Sequence, residues 1–438
     1  MQAVIMAGGK GTRLAELTKN EIPKPMVKLL DRPLLEWQVE CLHRNGVDDI
    51  VLVIGYMGEV IRDYFGDGRK WGVRIRYFAE EKPLGTAGAL PEMRGLLENE
   101  FVLLFGDLLL DVDLKRMLDF HQKHNALATL FVHPNAHPFD SDLIHADGEG
   151  KVQNFDSKHN DRSGYWYDNC VNAGLYVMDK SVLEYIPDKD KVDLEKDLLS
   201  PLCEQNKAIY AYASPEYVKD VGTVERIRTA ERELENGYVS ARNLTKKQKA
   251  VFLDRDGTLT VWKGLVYKPE QLELEPGAAE AVREINRSGY LAVLVTNQPV
   301  VARGLCGVED VELIHRKLQT LLGQDGAYLD AIRFCPHHPD RGYSEENPDY
   351  KIPCHCRKPD IGMLEDCAEK FNIDLSASWM VGDTTIDIQT GINANCKTAL
   401  VLTGEAGQDG KYTVQANLTA ENVREAVRRI LTDDEDLV

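Results

Sequence analysis

The sequence predicts an α/β protein of two tandem domains, each a mostly parallel, Rossmann-like sheet flanked by helices. Three observations carry this. Short apolar runs alternate with charged, helix-compatible stretches, the pattern of crossover units feeding a parallel sheet. The alternation halts near Asn236-Gly237 and restarts at Ala250. Finally, 438 residues that are 43% hydrophobic and 28% charged suffice for two or three packed cores and are too apolar for a disordered chain.

In chain order, residues 3–7, 50–54, 101–105, 127–132 and 173–178 read as buried strands, and 34–45 and 113–124 as helices between them. Charge-rich residues 224–235 read as a closing helix, stopped by Asn236-Gly237. Polar residues 240–249 then read as a link, giving domains 1–237 and 250–438 joined by 238–249. In the second domain, strands are expected at 250–253, 291–295, 331–334, 379–381 and 399–402, with helices at 277–288, 310–322 and 363–371. The terminal run Asp433-Asp434-Glu435-Asp436 reads as a solvated tail.

Composition excludes several classes. The net charge of −19 is shared by both halves, so neither is a basic body that captures a nucleic-acid backbone. Any phosphate ligand must be held by local cradles and metal ions against this field. No apolar run approaches the ~18 residues of a membrane-spanning helix. The start, Met1-Gln2-Ala3-Val4-Ile5-Met6, lacks the basic region of a signal peptide. Nine cysteines without a regular framework suit a reducing cytoplasm. A monomer and a homo-oligomer are both compatible with the sequence.

Two groups of motifs carry chemistry. The first strand runs into Ala7-Gly8-Gly9-Lys10-Gly11-Thr12-Arg13-Leu14, where glycines let backbone N–H groups approach a phosphate chain. The loop lacks the Gly-Lys-Ser/Thr of a Walker A motif and the full dinucleotide-site spacing. Its continuation, Ile22-Pro23-Lys24-Pro25-Met26, sharpens it. Together these resemble the sugar-1-phosphate nucleotidylyltransferases. Further stretches match in the family's order: Pro83-Leu84-Gly85-Thr86-Ala87-Gly88, Phe105-Gly106-Asp107, Asn172-Ala173-Gly174, Glu195-Lys196-Asp197 and Asp220-Val221-Gly222-Thr223.

In that chemistry a sugar 1-phosphate oxygen attacks the α-phosphorus of a nucleoside triphosphate and pyrophosphate leaves. Positioning and charge neutralisation do most of the catalysis. The resemblance implies that Gly8, Gly9, Gly11, Thr12, Gly85 and Thr86 bind the nucleotide and that Arg13 and Lys24 are the catalytic cations. Asp107 and Asp220 would hold Mg²⁺, and Asn172, Gly174, Glu195 and Lys196 the sugar phosphate. Residues 83–88 resemble the segment of GDP-sugar-forming relatives more than that of thymidylyl or cytidylyl ones, which points to GTP. Val224 stands where many relatives have proline.

In the second half, Val251-Phe252-Leu253-Asp254-Arg255-Asp256-Gly257-Thr258 ends an apolar strand with two aspartates at i and i+2, on the same side of the strand. It resembles the opening motif of haloacid-dehalogenase-like phosphatases. Thr296-Asn297, Lys358 in Cys356-Arg357-Lys358-Pro359, and Gly382-Asp383 with Asp387 follow in order. The resemblance implies that Asp254 attacks phosphorus to form an aspartyl-phosphate while Asp256 serves as general acid and then base. Thr296 and Asn297 would hydrogen-bond the phosphate or position the surroundings of the nucleophile, and Lys358 would offset charge. Asp254, Asp383 and the main chain at Asp256 would hold Mg²⁺.

Cys335-x-His337 and Cys354-x-Cys356 offer three sulfurs and an imidazole, a set suited to structural Zn²⁺, with His338 and His355 as competing ligands. A zinc loop narrows the resemblance to heptose-bisphosphate and histidinol-phosphate phosphatases. Ala302-Arg303-Gly304 resembles the former, in which the arginine helps read the substrate, and Arg357 would be a second contact to a distal phosphate. Pro299-Val300 and Thr384 depart from that subfamily's usual Ser-Gly and lysine.

The expected protein is a bifunctional enzyme of nucleotide-activated heptose synthesis. Its second domain would remove the 7-phosphate of D-glycero-D-manno-heptose 1,7-bisphosphate. Its first would join heptose 1-phosphate to a nucleotide. The alternative is a GDP-mannose-type pyrophosphorylase fused to a histidinol-phosphate-like or general sugar phosphatase.

Overall fold

The computed structural model describes residues 1–9, 21–342 and 345–435. Gly11, Thr12 and Arg13 lie outside the described residues, as does the end of the acidic tail. The chain forms two compact units. One comprises residues 1–133, 142–156 and 171–243; the other comprises 134–141, 157–170 and 244–438.

In the first unit, β1 (Gln2–Met6) is followed by a short hairpin of β2 (Lys28–Leu29) and β3 (Arg32–Pro33) and by α1 (Leu34–Arg44). Next come β4 (Asp49–Ile54), α2 (Gly58–Phe65), β5 (Arg74–Ala79), β6 (Glu100–Phe105), β7 (Leu108–Asp111) and α3 (Leu114–Lys123). The unit continues with β8 (Ala128–His133), β9 (Leu143–Ala146), β10 (Val152–Asp156), β11 (Val171–Asp179), α4 (Ser200–Glu204), β12 (Ile209–Ala213) and β13 (Tyr217–Asp220). It closes with α5 (Val224–Glu235) and α6 (Tyr238–Ala241).

Nine strands form one sheet, β10-β9-β11-β6-β1-β4-β5, with β8 beside β11 and β12 beside β8. Strands β4 and β6 flank β1 in parallel, so strand order reverses at β1 and leaves a crevice at its carboxyl end. The sheet is mixed, because β11 runs antiparallel to β6, β8 and β9. An apolar run buried on both faces looks the same in either direction, so the sequence located this strand without orienting it. A separate ribbon pairs β13 with β7. Ala3 and Ile5 of β1 pack with Leu35, Val39 and Leu42 of α1, the apolar stripe of an amphipathic helix.

In the second unit, β14 (Lys249–Leu253) leads to α7 (Ala278–Asn286), β15 (Tyr290–Asn297), α8 (Val308–Gln324), β16 (Ala331–Cys335) and α9 (Gly362–Phe371). Strand β17 (Trp379–Gly382), α10 (Thr385–Asn393), β18 (Lys397–Val401), β19 (Leu418–Ala420) and α11 (Val423–Glu435) complete it. The sheet order is β16-β15-β14-β17-β18-β19, every pair parallel. Alternation along β14 sends Val251 and Leu253 into one core and Ala250 and Phe252 into the other. Order again reverses at the first strand, whose carboxyl end carries Asp254. Segment 157–170 is tied to α8, where the Tyr167 N–H donates to Thr320 Oγ1 at 3.1 Å and the Asn169 N–H to Gln319 Oε1 at 3.0 Å. The sequence pattern had not signalled this arrangement.

Candidate active sites

At the carboxyl end of β1, a cavity of about 460 Å³ is lined by Gly8, Gly9, Lys24, Glu80, Gly85, Thr86, Asp107 and Gly222. A β-carbon on Gly8 would sit 2.5 Å from Glu80 Oε2, so any larger residue would displace that carboxylate from the cavity wall. Gly85 has φ +89°, and a β-carbon there would meet the Val192 carbonyl oxygen at 2.4 Å. Thr86 Oγ1 accepts from the Leu194 N–H at 2.7 Å, docking this loop against the turn that carries Glu195 and Lys196.

The Lys24 ammonium pairs with Asp107. The Val221 N–H donates to the Asp107 carbonyl at 2.9 Å, which brings the Asp220 loop alongside. Asp220 pairs with Arg226 on α5, and a β-carbon on Gly222 between them would lie 3.0 Å from Asp220 Oδ1 and 3.2 Å from Lys24 Nζ. Lys24, Asp107 and Asp220 thus converge.

Asn172 and Gly174 lie on β11. Asn172 Nδ2 donates to Glu195 Oε1 at 2.9 Å and to the Tyr176 hydroxyl at 2.7 Å. Its Oδ1 accepts from the Gly174 N–H at 3.2 Å. Burial, reinforced by the nearby charges of Asp142 and Asp193, pushes the Glu195 carboxyl up to about 7. Lys196, next on the same turn, is exposed. Two side chains not expected from motifs belong to this region: Tyr176, and Glu80, whose carboxyl is raised mainly by burial.

In the second unit Asp254, Asp383 and Asp387 are buried with carboxylate oxygens within 4.8 Å of one another. Lys358, also buried, donates to Asp254 Oδ1 at 2.6 Å and pairs with Asp387. Burial pushes the Asp254 and Asp383 carboxyls up; Lys358 opposes this at Asp254, while the charges of Asp254 and Asp387 add to it at Asp383. The same two carboxylates overcome burial at Lys358 and hold its ammonium charged. The Glu405 N–H donates to Asp383 Oδ2 at 2.8 Å, whereas the buried Oδ1 has no hydrogen-bond partner. Gly257 and Gly404 close over this carboxylate; a β-carbon on either would come within 2.3 Å of Oδ2.

Asn297 is bound reciprocally to the Lys358 backbone, with Nδ2 donating to its carbonyl and Oδ1 accepting from its N–H, both at 3.0 Å. Thr296 Oγ1 accepts from Gln298 Nε2 at 3.0 Å. Asp256 is held by Arg255, whose Nε and Nη2 donate at 3.1 and 2.9 Å, and by Gln298 Nε2 at 2.8 Å. Arg255 is wholly buried and meets His315 Nε2 of α8 at 3.2 Å. Burial and the Arg255 charge hold His315 far below the usual histidine range. No motif pointed to Arg255, Gln298 or His315. Arg303 follows a turn in which its N–H donates to the Pro299 carbonyl at 2.9 Å. Arg357 donates from Nη1 to the His337 carbonyl at 3.0 Å.

Cys335, His337, Cys354 and Cys356 also meet. The three sulfurs are 3.2–3.5 Å apart, too far for a disulfide, and His337 Nδ1 lies 3.4 Å from Cys356 Sγ. His355 is paired elsewhere, with Glu365 at 2.6 Å.

Comparison with known proteins fits this geometry. Residues 2–237 match the nucleotidyl transferase family and residues 355–426 the HAD-hydrolase-like family. The chain belongs to the nucleotidyl transferase family. A D-glycero-alpha-D-manno-heptose 1-phosphate guanylyltransferase of Aneurinibacillus thermoaerophilus is 33% identical over 54% of this chain and 99% of its own length. A mannose-1-phosphate guanylyltransferase of Mycobacterium tuberculosis is 34% identical over 51% of this chain, and the match spans 62% of that relative's length. This nucleotidyl transferase carries a second relationship in its other half. There, a D-glycero-beta-D-manno-heptose-1,7-bisphosphate 7-phosphatase of Pasteurella multocida is 39% identical over 42% of this chain and 97% of its own length. Among the described residues no helix is long and apolar enough to cross a membrane.

Proposed function

We propose that the chain is a bifunctional enzyme of heptose activation. Residues 250–438 would remove the 7-phosphate of D-glycero-D-manno-heptose 1,7-bisphosphate, and residues 1–237 would transfer GMP from GTP to the resulting heptose 1-phosphate. The observation that carries this reading is that one chain covers nearly the whole length of two relatives that act on phosphates of the same heptose, the guanylyltransferase named for the alpha anomer and the phosphatase for the beta.

In the phosphatase half, Asp254 is the nucleophile and Lys358 neutralises charge on it and on the entering phosphate. Asp256 gives its proton to the leaving sugar oxygen, then takes one from the water that cleaves the aspartyl-phosphate. Asp254, Asp383 and the Asp256 main chain fit a hard divalent cation, because Asp383 Oδ1 is a buried acceptor with no donor. Mg²⁺ bound there would supply charge neutralisation for the phosphoryl group. Arg303 and Arg357 take the distal phosphate, and Thr296 and Asn297 the reacting one. The three sulfurs and the imidazole of the 335–356 loop fit Zn²⁺, which would hold together a segment with little core of its own.

In the nucleotidyl transferase half, Lys24 offsets triphosphate charge together with Arg13, and Asp107 and Asp220 fit Mg²⁺. Glu195, Asn172, Gly174 and Lys196 hold the sugar phosphate. The partly buried Glu80 carboxylate favours GTP, since guanine presents two adjacent N–H donors (N1 and N2) that a carboxylate can accept together.

The test is a one-pot assay with Mg²⁺, the heptose bisphosphate and each nucleoside triphosphate in turn. GDP-heptose is expected, with phosphate appearing before pyrophosphate. Phosphate without pyrophosphate for every triphosphate would refute the transferase half, and no phosphate from either anomer would refute the heptose assignment.

A further inference from the structure

Strand β14 ends at Leu253, and in the turn that follows Arg255 is wholly buried between Asp254 and Asp256 in sequence. A fully buried guanidinium needs partners for its charge, and this one curls back onto its own neighbour. Its Nε and Nη2 fork onto the two oxygens of Asp256. Nη2 also donates to Gln298 Oε1 at 2.8 Å, and Nη1 faces His315 Nε2 at 3.2 Å, so that ring nitrogen accepts. Gln298 is saturated: one amide hydrogen goes to Asp256 Oδ2 and the other to Thr296 Oγ1.

A carboxylate offers about four acceptor positions. Arg255 takes two of those on Asp256 and Gln298 a third. The Thr260 hydroxyl lies 3.4 Å from Oδ1 but has a better acceptor, the Arg255 carbonyl, at 3.1 Å. One position on Oδ1 is left for a reacting proton.

We propose that Arg255, fixed by Gln298 and His315, is a positioning residue that aims the Asp256 carboxyl so that a single acceptor position on Oδ1 faces the leaving oxygen. This rests on the phosphatase reading above. None of the three side chains need touch substrate. A sugar alkoxide must be protonated as it leaves, whereas p-nitrophenolate departs unaided, so misaiming the acid damages the first reaction selectively.

The test compares kcat/KM for the heptose bisphosphate, a simple alkyl phosphate and p-nitrophenyl phosphate in the full chain and in Gln298→Leu, His315→Leu and His315→Gln, with circular dichroism as a check of folding. For the two leucine variants we expect losses of about 10- to 100-fold on the sugar and alkyl esters, at or below the lower end of the roughly 100- to 10,000-fold that general acid catalysis contributes, because the acid is misaimed rather than removed. Losses on p-nitrophenyl phosphate should stay within about 3-fold on the same argument. His315→Gln keeps an acceptor near Nε2 and should recover most of the difference. Equal losses on all esters in folded Gln298→Leu, or no difference between the two His315 variants, would overturn the proposal. A wild-type chain that hydrolyses alkyl and p-nitrophenyl phosphates but not the heptose ester would overturn only the substrate assignment, and the leaving-group comparison would still decide. A wild-type chain that releases no phosphate from any ester would overturn both.

Discussion

If Glu195 holds the sugar phosphate as proposed, its carboxyl, pushed up to about 7, should make sugar binding by the transferase half depend on pH in a way a single substitution removes. Asn172 donates to Glu195 Oε1, and on the proposed reading the other carboxylate oxygen accepts from sugar hydroxyls. Only the ionised form accepts fully. A hydrogen bond to a charged group contributes about 1.5–3 kcal/mol, which at about 1.4 kcal/mol per decade is about 10- to 150-fold in affinity. In the wild-type chain, kcat/KM for heptose 1-phosphate should therefore rise through about pH 7 and level off above it. Glu195→Gln should lose about 10- to 150-fold at pH 8, mainly through KM, and show no inflection at 7.

Stability gives an independent readout. The folded-state value of about 7 is raised from an ordinary 4.5, so the folded unit binds this proton more tightly than the unfolded chain. That contribution is fully present below 4.5 and is lost as pH rises to 7; it amounts to about 3 kcal/mol, with Glu195→Gln escaping the loss. Pyrophosphate release measured from pH 5.5 to 9, with calorimetry on the same samples, checks both. The substrate phosphate also ionises near pH 6, but it does so equally in the two proteins. A glutamine variant that retains the wild-type inflection, or whose KM is unchanged, would refute the assignment of Glu195 to the sugar.

Other outcomes follow from the same geometry. Asp254→Asn should reduce phosphate release to background and leave pyrophosphate release from supplied heptose 1-phosphate intact; joint loss in a phosphate and pyrophosphate assay would argue against separate sites. Lys358→Met leaves three buried carboxyls without a cation and should cost the second unit about 3–5 kcal/mol at pH 8, less at pH 5, where protonation of Asp254 and Asp383, whose carboxyls are pushed up, relieves the repulsion. Calorimetry with and without Mg²⁺ should show partial recovery by the ion. Cys335→Ser should lower bound zinc from one per chain by elemental analysis and reduce the unfolding temperature. Glu80→Gln sets an amide donor against a guanine donor and should cut the preference for GTP over ATP by about 10-fold or more in competition assays.

What the sequence revealed and what it hid divide along a physical line. A strand that ends in Asp-x-Asp, or runs into Gly-Gly, announces its function locally, because the apolar run fixes which end is buried and alternation fixes which side chains share a face. That is why Asp254, Asp256, Gly8 and the strands that carry them could be placed without coordinates. The four-residue Cys/His set was legible for a related reason: soft donors in two tight clips have few other uses in a polar loop. Direction is different. Residues 173–178 are apolar on both faces, and only the chain's return through β9 and β10 turns that strand antiparallel. The support around Asp256 is hidden for a stronger reason. Arg255, Gln298 and His315 come from a strand end, a loop and the middle of a helix, and each is unremarkable where it stands. An arginine after a strand reads as surface charge; here it is the largest fully buried side chain among the described residues. It stays buried because Asp256 balances its charge and Gln298 and His315 accept two of its three remaining hydrogens. The positions of the clustered carboxylates were thus readable from short motifs, while the support around Asp256 depends on contacts up to 60 residues apart that only the folded sheet brings together.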